Sequence, residues 1–175
     1  MIQRIFLLCL LTLSSFANAL PYTLKITEQE LQNKLSKQLP IERTLAYISA
    51  KIYDSRIDLI EGSAEIGVFT HLEVTVLDNI KGSGQAYAKG VLIYNPEKGA
   101  FYLINPSIVS LEIKDIPADF IPEIKRIAQL SLEQALKIHP INLFDDQQIQ
   151  QKMAKSSLQS IVVKDQALLI NMTLL

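Results

Sequence analysis

The sequence predicts an α+β domain: a strongly curved antiparallel sheet, a meander, wrapped around a long helix in the C-terminal half, with an amphipathic helix near the N-terminus. Three observations predict it. From Ala46 to Lys114 the apolar residues recur with a period of two between short polar turns, as in half-buried antiparallel strands. EIKRIAQLSLEQALKI, from Glu123 to Ile138, is apolar over most of a helical circumference, so the helix needs cover on several sides, and a curved sheet is the available cover. TEQELQNKLSKQLP opens with Thr27 three residues before Glu30, the spacing of a capping box.

In chain order, Arg4 precedes an apolar run from Ile5 to Leu13 that gives way to Ala17-Asn18-Ala19, a small-x-small cleavage site. The run is about nine residues, and a bilayer span takes about 20. Residues 1–19 therefore read as a cleaved secretory signal peptide and 20–175 as a single domain. Cys9 follows Leu8 inside the run, where lipid attachment is disfavoured, so the expected product is a periplasmic chain with no cysteine and no transmembrane segment. Tyr22 to Ile26 makes a short strand, and the helix from Thr27 to Leu39 lines up Leu31, Leu35 and Leu39 before Pro40 ends it. Ile48, Ala50 and Ile52 alternate in a strand, and a second run, Arg56 to Ile60, follows Asp54-Ser55. Glu65 to Val76 is the clearest strand, with Ile66, Val68, Thr70, Leu72, Val74 and Val76 on one face.

After a turn at Asp78-Asn79, the strand from Gly84 to Tyr94 sets Ala86, Ala88 and Gly90 beside Leu92 and Tyr94, small side chains that let a bulky group lie close. Pro96 to Gly99 turns the chain into a strand from Phe101 to Ile104, and Ile108 to Lys114 makes another, with Val109, Leu111 and Ile113 on one face. The long helix starts near Pro117 to Pro122. A short polar helix near Asp145 to Ser156 and a hairpin turning at Asp165-Gln166 complete the chain.

Composition excludes several functions. The 17 Lys and Arg residues less Arg4, against 18 Asp and Glu, leave the mature chain at a net charge of −2 with histidines neutral. That balance offers no basic stripe for nucleic acid and no polybasic segment for an anionic bilayer. His71 and His139 stand alone without metal-ligand spacing and read as surface or boundary residues; no metal site and no cofactor is implied. Lys81-Gly82-Ser83-Gly84 lacks the phosphate-loop pattern and reads as a turn, and Asp145-Asp146 as a helix start. No serine sits in GxSxG, and no nucleophile, base and orienting group share a recognisable spacing, so an enzyme is disfavoured.

YNPEKGAFYLINPSIVSLEI, the opening YTLKITEQELQNKLSKQLPIE and the closing SIVVKDQALLI together resemble the YceB-like family of bacterial envelope proteins of unknown function, in the same order over nearly all of the mature chain. The resemblance implies a fold like that of the tubular lipid-binding superfamily, in which a curved antiparallel sheet wraps a long helix and can hold an apolar ligand between them. Members are often lipoproteins, and this leader departs from them in lacking a proper lipid-attachment cysteine. The expected function is a periplasmic, non-enzymatic module binding a lipid or fatty-acyl ligand in an apolar groove. Its candidate lining is Ala86, Ala88, Gly90 and Leu92 of the sheet with Ile124, Ile127, Ala128 and Leu132 of the helix. The alternative is an envelope structural or interaction protein with a filled core, meeting a protein partner through the helix from Thr27 to Leu39. The oligomeric state is left open.

Overall fold

The computed structural model describes residues 21–98, 100–138, 141, 143 and 156–174, with the side chains of 134–138 and 174 excepted. A five-stranded antiparallel meander is built from β1's successors in chain order: β1 is Pro21–Thr27, then come α1 (Glu28–Ser36), β2 (Ile41–Leu45), β3 (Ile48–Leu59), β4 (Glu65–Val76), β5 (Ile80–Asn95) and β6 (Ala100–Lys114). A short 3-10 turn at Ala118–Phe120 leads into α2 (Ile121–Ile138), and the hairpin of β7 (Ser156–Lys164) and β8 (Ala167–Leu174) follows. The meander has the order β2-β3-β4-β5-β6, and a separate sheet has the order β1-β8-β7. The larger sheet curls into a half-barrel.

The helix α1 begins where the capping box places it. Thr27 Oγ1 accepts from the Glu30 amide at 3.2 Å, and the Glu30 carboxylate accepts from the Thr27 amide at 2.7 Å. That hydrogen bond is the main cause holding the Glu30 carboxyl below its ordinary range. The helix ends at Ser36, so the expected stripe is shortened: Leu31 is buried, Leu35 half-buried, and Leu39 lies past the end.

Two sequence expectations are corrected by bulges. Ile48–Leu59 is one strand rather than two, because the register shifts between Tyr53 and Arg56 and sets Asp54 and Ser55 opposite Thr70 alone. Asp54 takes φ +48° there. Ala100–Lys114 is likewise one strand, with shifts opposite Tyr87/Ala88 and Lys89/Val91 that re-phase its alternation. Phe101 and Leu103 pair with Tyr94 and Leu92; Ile108 then pairs with Ala88, and Leu111 with Ala86. Val109, expected beside Leu111, falls on the bulge and is 51% exposed. The expected turn at Lys81 to Gly84 lies inside β5. Its glycines permit close approach of the next strand: a Cβ on Gly84 would collide with the Glu112 carbonyl, and one on Gly82 would lie 2.6 Å from the Ile116 side chain. The expected helix near Asp145 to Ser156 and the residues His139, Asp145 and Asp146 lie outside the described residues, apart from Ser156, which opens β7.

The meander's apolar face carries two cores. At one end Ile57, Leu59, Ile66, Leu92, Tyr94 and Phe101 meet Ile26, Val163, Leu168, Ile170 and Met172 of the smaller sheet, with Leu31 of α1. At the other end Ile48, Leu72, Val74 and Val76 meet Ile124 and Ile127 of α2. The sheet does not wrap the helix as expected. α2 packs chiefly along β6, an outer strand of the meander, and Leu130 is 40% exposed. The circumference of a helix can be apolar without being enclosed.

Candidate functional site

The inner face of β5 is built from small residues where it crosses the middle of the sheet. Ala86, Ala88, Gly90 and Leu92 pair with Thr70, Val68, Ile66 and, across β6, Leu103, so all stand on the same face as the apolar side of β4. Their surroundings differ. Leu92 is sealed in the first core at 1% exposure. Gly90 is filled space: a Cβ there would meet Leu103 at 2.7 Å. Ala86 packs against the second core, together with Ile124 and Ile127. Among the described residues Ala88, Ala128 and Leu132 are half-buried and stand in neither core.

Between the two cores lies a polar pair. Ser55, 5% exposed, and Thr70 place their hydroxyl oxygens 2.7 Å apart, and Thr70 Oγ1 lies 3.2 Å from the Tyr53 carbonyl. Thr70 donating to that carbonyl while accepting from Ser55 satisfies both groups, as burial demands. Thr70 is the cross-strand neighbour of Ala86. The result is a half-buried row, Val68–Ala88–Ile108 across three strands, in which Val68 packs against the first core, Ala88 and Ile108 stand in neither core, and two hydroxyls lie beside it.

Each helix is fastened to sheet backbone by one glutamine amide. Gln32 of α1 donates to the Ser55 carbonyl at 2.7 Å and accepts from the Ile57 amide at 2.8 Å. Gln129 of α2 donates to the Pro106 carbonyl at 2.7 Å and accepts from the Ile108 amide at 2.9 Å. Each side chain thus stands in for a missing neighbouring strand, because a primary amide offers the same donor and acceptor as a peptide group. β2 pairs with β3 only as far as Ile52, which leaves the Ser55 to Leu59 edge for α1, and Glu28 there accepts from the Leu59 amide at 3.4 Å. Gln129 blunts the outer edge of β6, where unpaired backbone would otherwise invite another chain.

With this geometry in place, residues 26–167 match the family model described as a protein of unknown function, DUF1439. The chain belongs to the DUF1439 family. No curated protein matches it. The crystal structure of P47 of Clostridium botulinum E1 is similar over 75% of this chain, at 16% identity and a TM-score of 0.44; the DUF1439 chain spans 35% of that structure's length.

On the opposite face, this DUF1439 chain carries an aromatic and charged ladder. Phe69 stacks on Tyr87 at 4.2 Å, the Arg56 guanidinium lies 5.2 Å over Phe69, and Tyr87 donates to Asp58 at 2.8 Å. Burial first, and the Asp58 hydrogen bond second, push the Tyr87 hydroxyl up to about 12. Lys89 and Glu65 pair at 3.0 Å beside it. His71 is exposed, with Nδ1 3.2 Å from Asp54 and its ring stacked on Tyr53. Among the described residues no group of three or more His, Cys, Asp or Glu could hold a metal, and no helix is long and apolar enough to cross a membrane.

Of the sequence-derived candidates, the fold brings together Ala86, Ile124 and Ile127, sends Gly90 and Leu92 to the other core, and leaves Ala88 at the divide. Sequence reasoning missed Ser55, Thr70, Gln32 and Gln129. Thr70 carried a signal: it is the one hydroxyl in the apolar row Ile66, Val68, Leu72, Val74 and Val76. The glutamines carried none, since on a helix they read as solvated positions.

Proposed function

We propose that this protein is a periplasmic, non-enzymatic module that holds an apolar ligand, a lipid or fatty-acyl chain, between the curled sheet and α2. One observation carries the reading: the apolar face is packed at both ends, with Val68 against the first core, while its neighbours Ala88 and Ile108 are half-buried, stand in neither core and lie beside the stretch of α2 that holds Ala128 and Leu132. Gln129 fixes that stretch against β6 at Ile108, the cross-strand partner of Ala88. Burial supplies about 0.8 kcal/mol per methylene, so an acyl chain needs no charged site. The leader supports export, and the resemblance to the YceB-like family is in keeping with an envelope role.

The test is titration of the delipidated protein with palmitate, alongside native mass measurement of protein taken from its own host. Ala88→Leu is expected to weaken palmitate binding about tenfold, or 1.4 kcal/mol, with thermal unfolding preserved. Unchanged affinity in that variant, or no uptake by the wild type and a clean apo mass, would turn the reading toward a filled-core interaction protein.

A further inference from the structure

Large apolar side chains crowd the tip of the sheet where two turns adjoin. Leu45 ends β2, Tyr47 lies in the turn to β3, and Leu77 opens the turn from β4 to β5. They are 48%, 42% and 52% exposed, and the Leu77 amide donates to the Tyr47 carbonyl at 2.9 Å, so the two turns form one unit. Directly behind them Ile48 and Val76 pair across the strands and are buried.

The backbone makes this exposure informative. Leu77 takes φ +52°, the left-handed region that favours glycine and asparagine and disfavours a branched side chain. Its hydrogen bond to Tyr47 uses the backbone and would survive in glycine. A leucine is held in a conformation suited to glycine while half of its surface faces water.

We propose that the paired turns carrying Leu45, Tyr47 and Leu77 are a docking tip that inserts into the interfacial zone of a lipid bilayer. Two observations choose this occupant. Three side chains on two turns supply a fraction of the roughly 800 Å² per partner in a standard protein interface, whereas shallow insertion needs only protruding apolar groups and favours a tyrosine whose hydroxyl stays at the wet boundary. The exposed charges flanking the turns, Glu42, Arg43, Asp78 and Lys81, are two of each sign, and Arg126 near Tyr47 is paired with the Glu123 carboxylate, so apolar insertion rather than attraction to anionic lipid drives the contact. The inference goes beyond ligand binding and stands without it.

Co-sedimentation of the purified protein with phosphatidylcholine vesicles, and with phosphatidylethanolamine–phosphatidylglycerol vesicles at low and high salt, tests the proposal. The wild type is expected to bind both, with little salt dependence. Leu77→Gly should lower partitioning about tenfold, the scale of one lost leucine anchor, and raise the melting temperature. Leu45→Ser should lower partitioning without unfolding. Absence of vesicle binding by the wild type, undiminished binding by Leu77→Gly, or binding confined to anionic vesicles at low salt overturns the proposal. So does loss of self-association in Leu77→Gly without vesicles, which would assign the tip to a second copy of this chain. Palmitate affinity of Leu77→Gly should match the wild type; palmitate uptake without vesicle binding removes the tip alone.

Discussion

The two ends of the meander solve the same burial problem with different partners. At the first end, a three-stranded sheet and α1 oppose four strands, and Leu92, Val163, Leu168, Ile170 and Met172 are at most 1% exposed. At the second end the described partners are Ile116, Phe120 and the early part of α2; Val74 and Val76 are at most 1% exposed there, but Leu45, Tyr47 and Leu77 at the tip remain 42% exposed or more. Width explains the contrast. Five strands spaced about 4.8 Å apart extend about 19 Å between outer strands, whereas a helix with its side chains is about 10–12 Å across. A sheet can cover a sheet; a single helix covers about half of one. Among the described residues the first end is therefore the more fully covered, and large exposed apolar side chains gather at the tip of the second.

Core truncation should break this contrast first if it is wrong. Ile170→Ala, in the first core, is expected to cost about 4 kcal/mol, because closely packed neighbours collapse little into the space left. Ile127→Ala, 8% exposed on α2, is expected to cost about 2 kcal/mol, since the helix can shift toward the vacancy. Urea unfolding of both variants checks it. Equal costs would mean that the second end is packed as tightly as the first.

The two glutamine amides sharpen the same comparison at a smaller scale. Gln32→Ala strips partners from backbone groups beside Ser55, a residue only 5% exposed, and should cost about 2–3 kcal/mol. Gln129→Ala strips the equivalent groups beside exposed Val109 and Leu130, where water can replace the amide, and should cost about 1 kcal/mol. Amide exchange at Ile108 should accelerate in Gln129→Ala far more than its loss of stability explains. Equal costs for the two variants, or unchanged exchange at Ile108, would remove the difference between a sealed edge and an accessible one.

What could be read from the sequence follows from the same physics. β4 was legible because it has no bulge, so its period of two runs unbroken from Ile66 to Val76 and fixes its face. The capping box was legible because it is local: Thr27 and Glu30 need only each other and the backbone between them. β3 and β6 look in sequence like pairs of shorter strands, because a bulge re-phases the alternation and mimics a break between elements. Lys81 to Gly84 reads as a turn because glycine suits turns; here glycine admits neighbouring backbone. The wrapped helix was an inference from its circumference, and coverage depends on the width and position of a partner, which no local pattern encodes. The candidate site was half legible for that reason. Small residues on β5 were visible, but Leu103 filling the space over Gly90 was not.

The turns give the smallest effect and separate scaffold from working surface most cleanly. Asp165 and Gln166 form the two-residue connection between Lys164 and Ala167, with φ +51° and +55°, the pattern of a type I′ hairpin turn. Gln166→Gly places glycine where that turn favours it. Relief of the left-handed side-chain penalty, about 1–2 kcal/mol, exceeds the extra chain entropy of glycine, about 0.5–1 kcal/mol, so a net gain of about 0.5–1 kcal/mol is expected. The Gln166 carbonyl that accepts from the Glu28 amide at 3.0 Å is backbone and survives the change. Leu77→Gly should gain by the same arithmetic, because Leu77 sits at φ +52°. Calorimetry should therefore show both variants more stable than the wild type, while vesicle partitioning falls only in Leu77→Gly. If Leu77→Gly is instead less stable, its side chain contributes to packing at the tip, and the exposed leucine ceases to argue for a partner outside the fold.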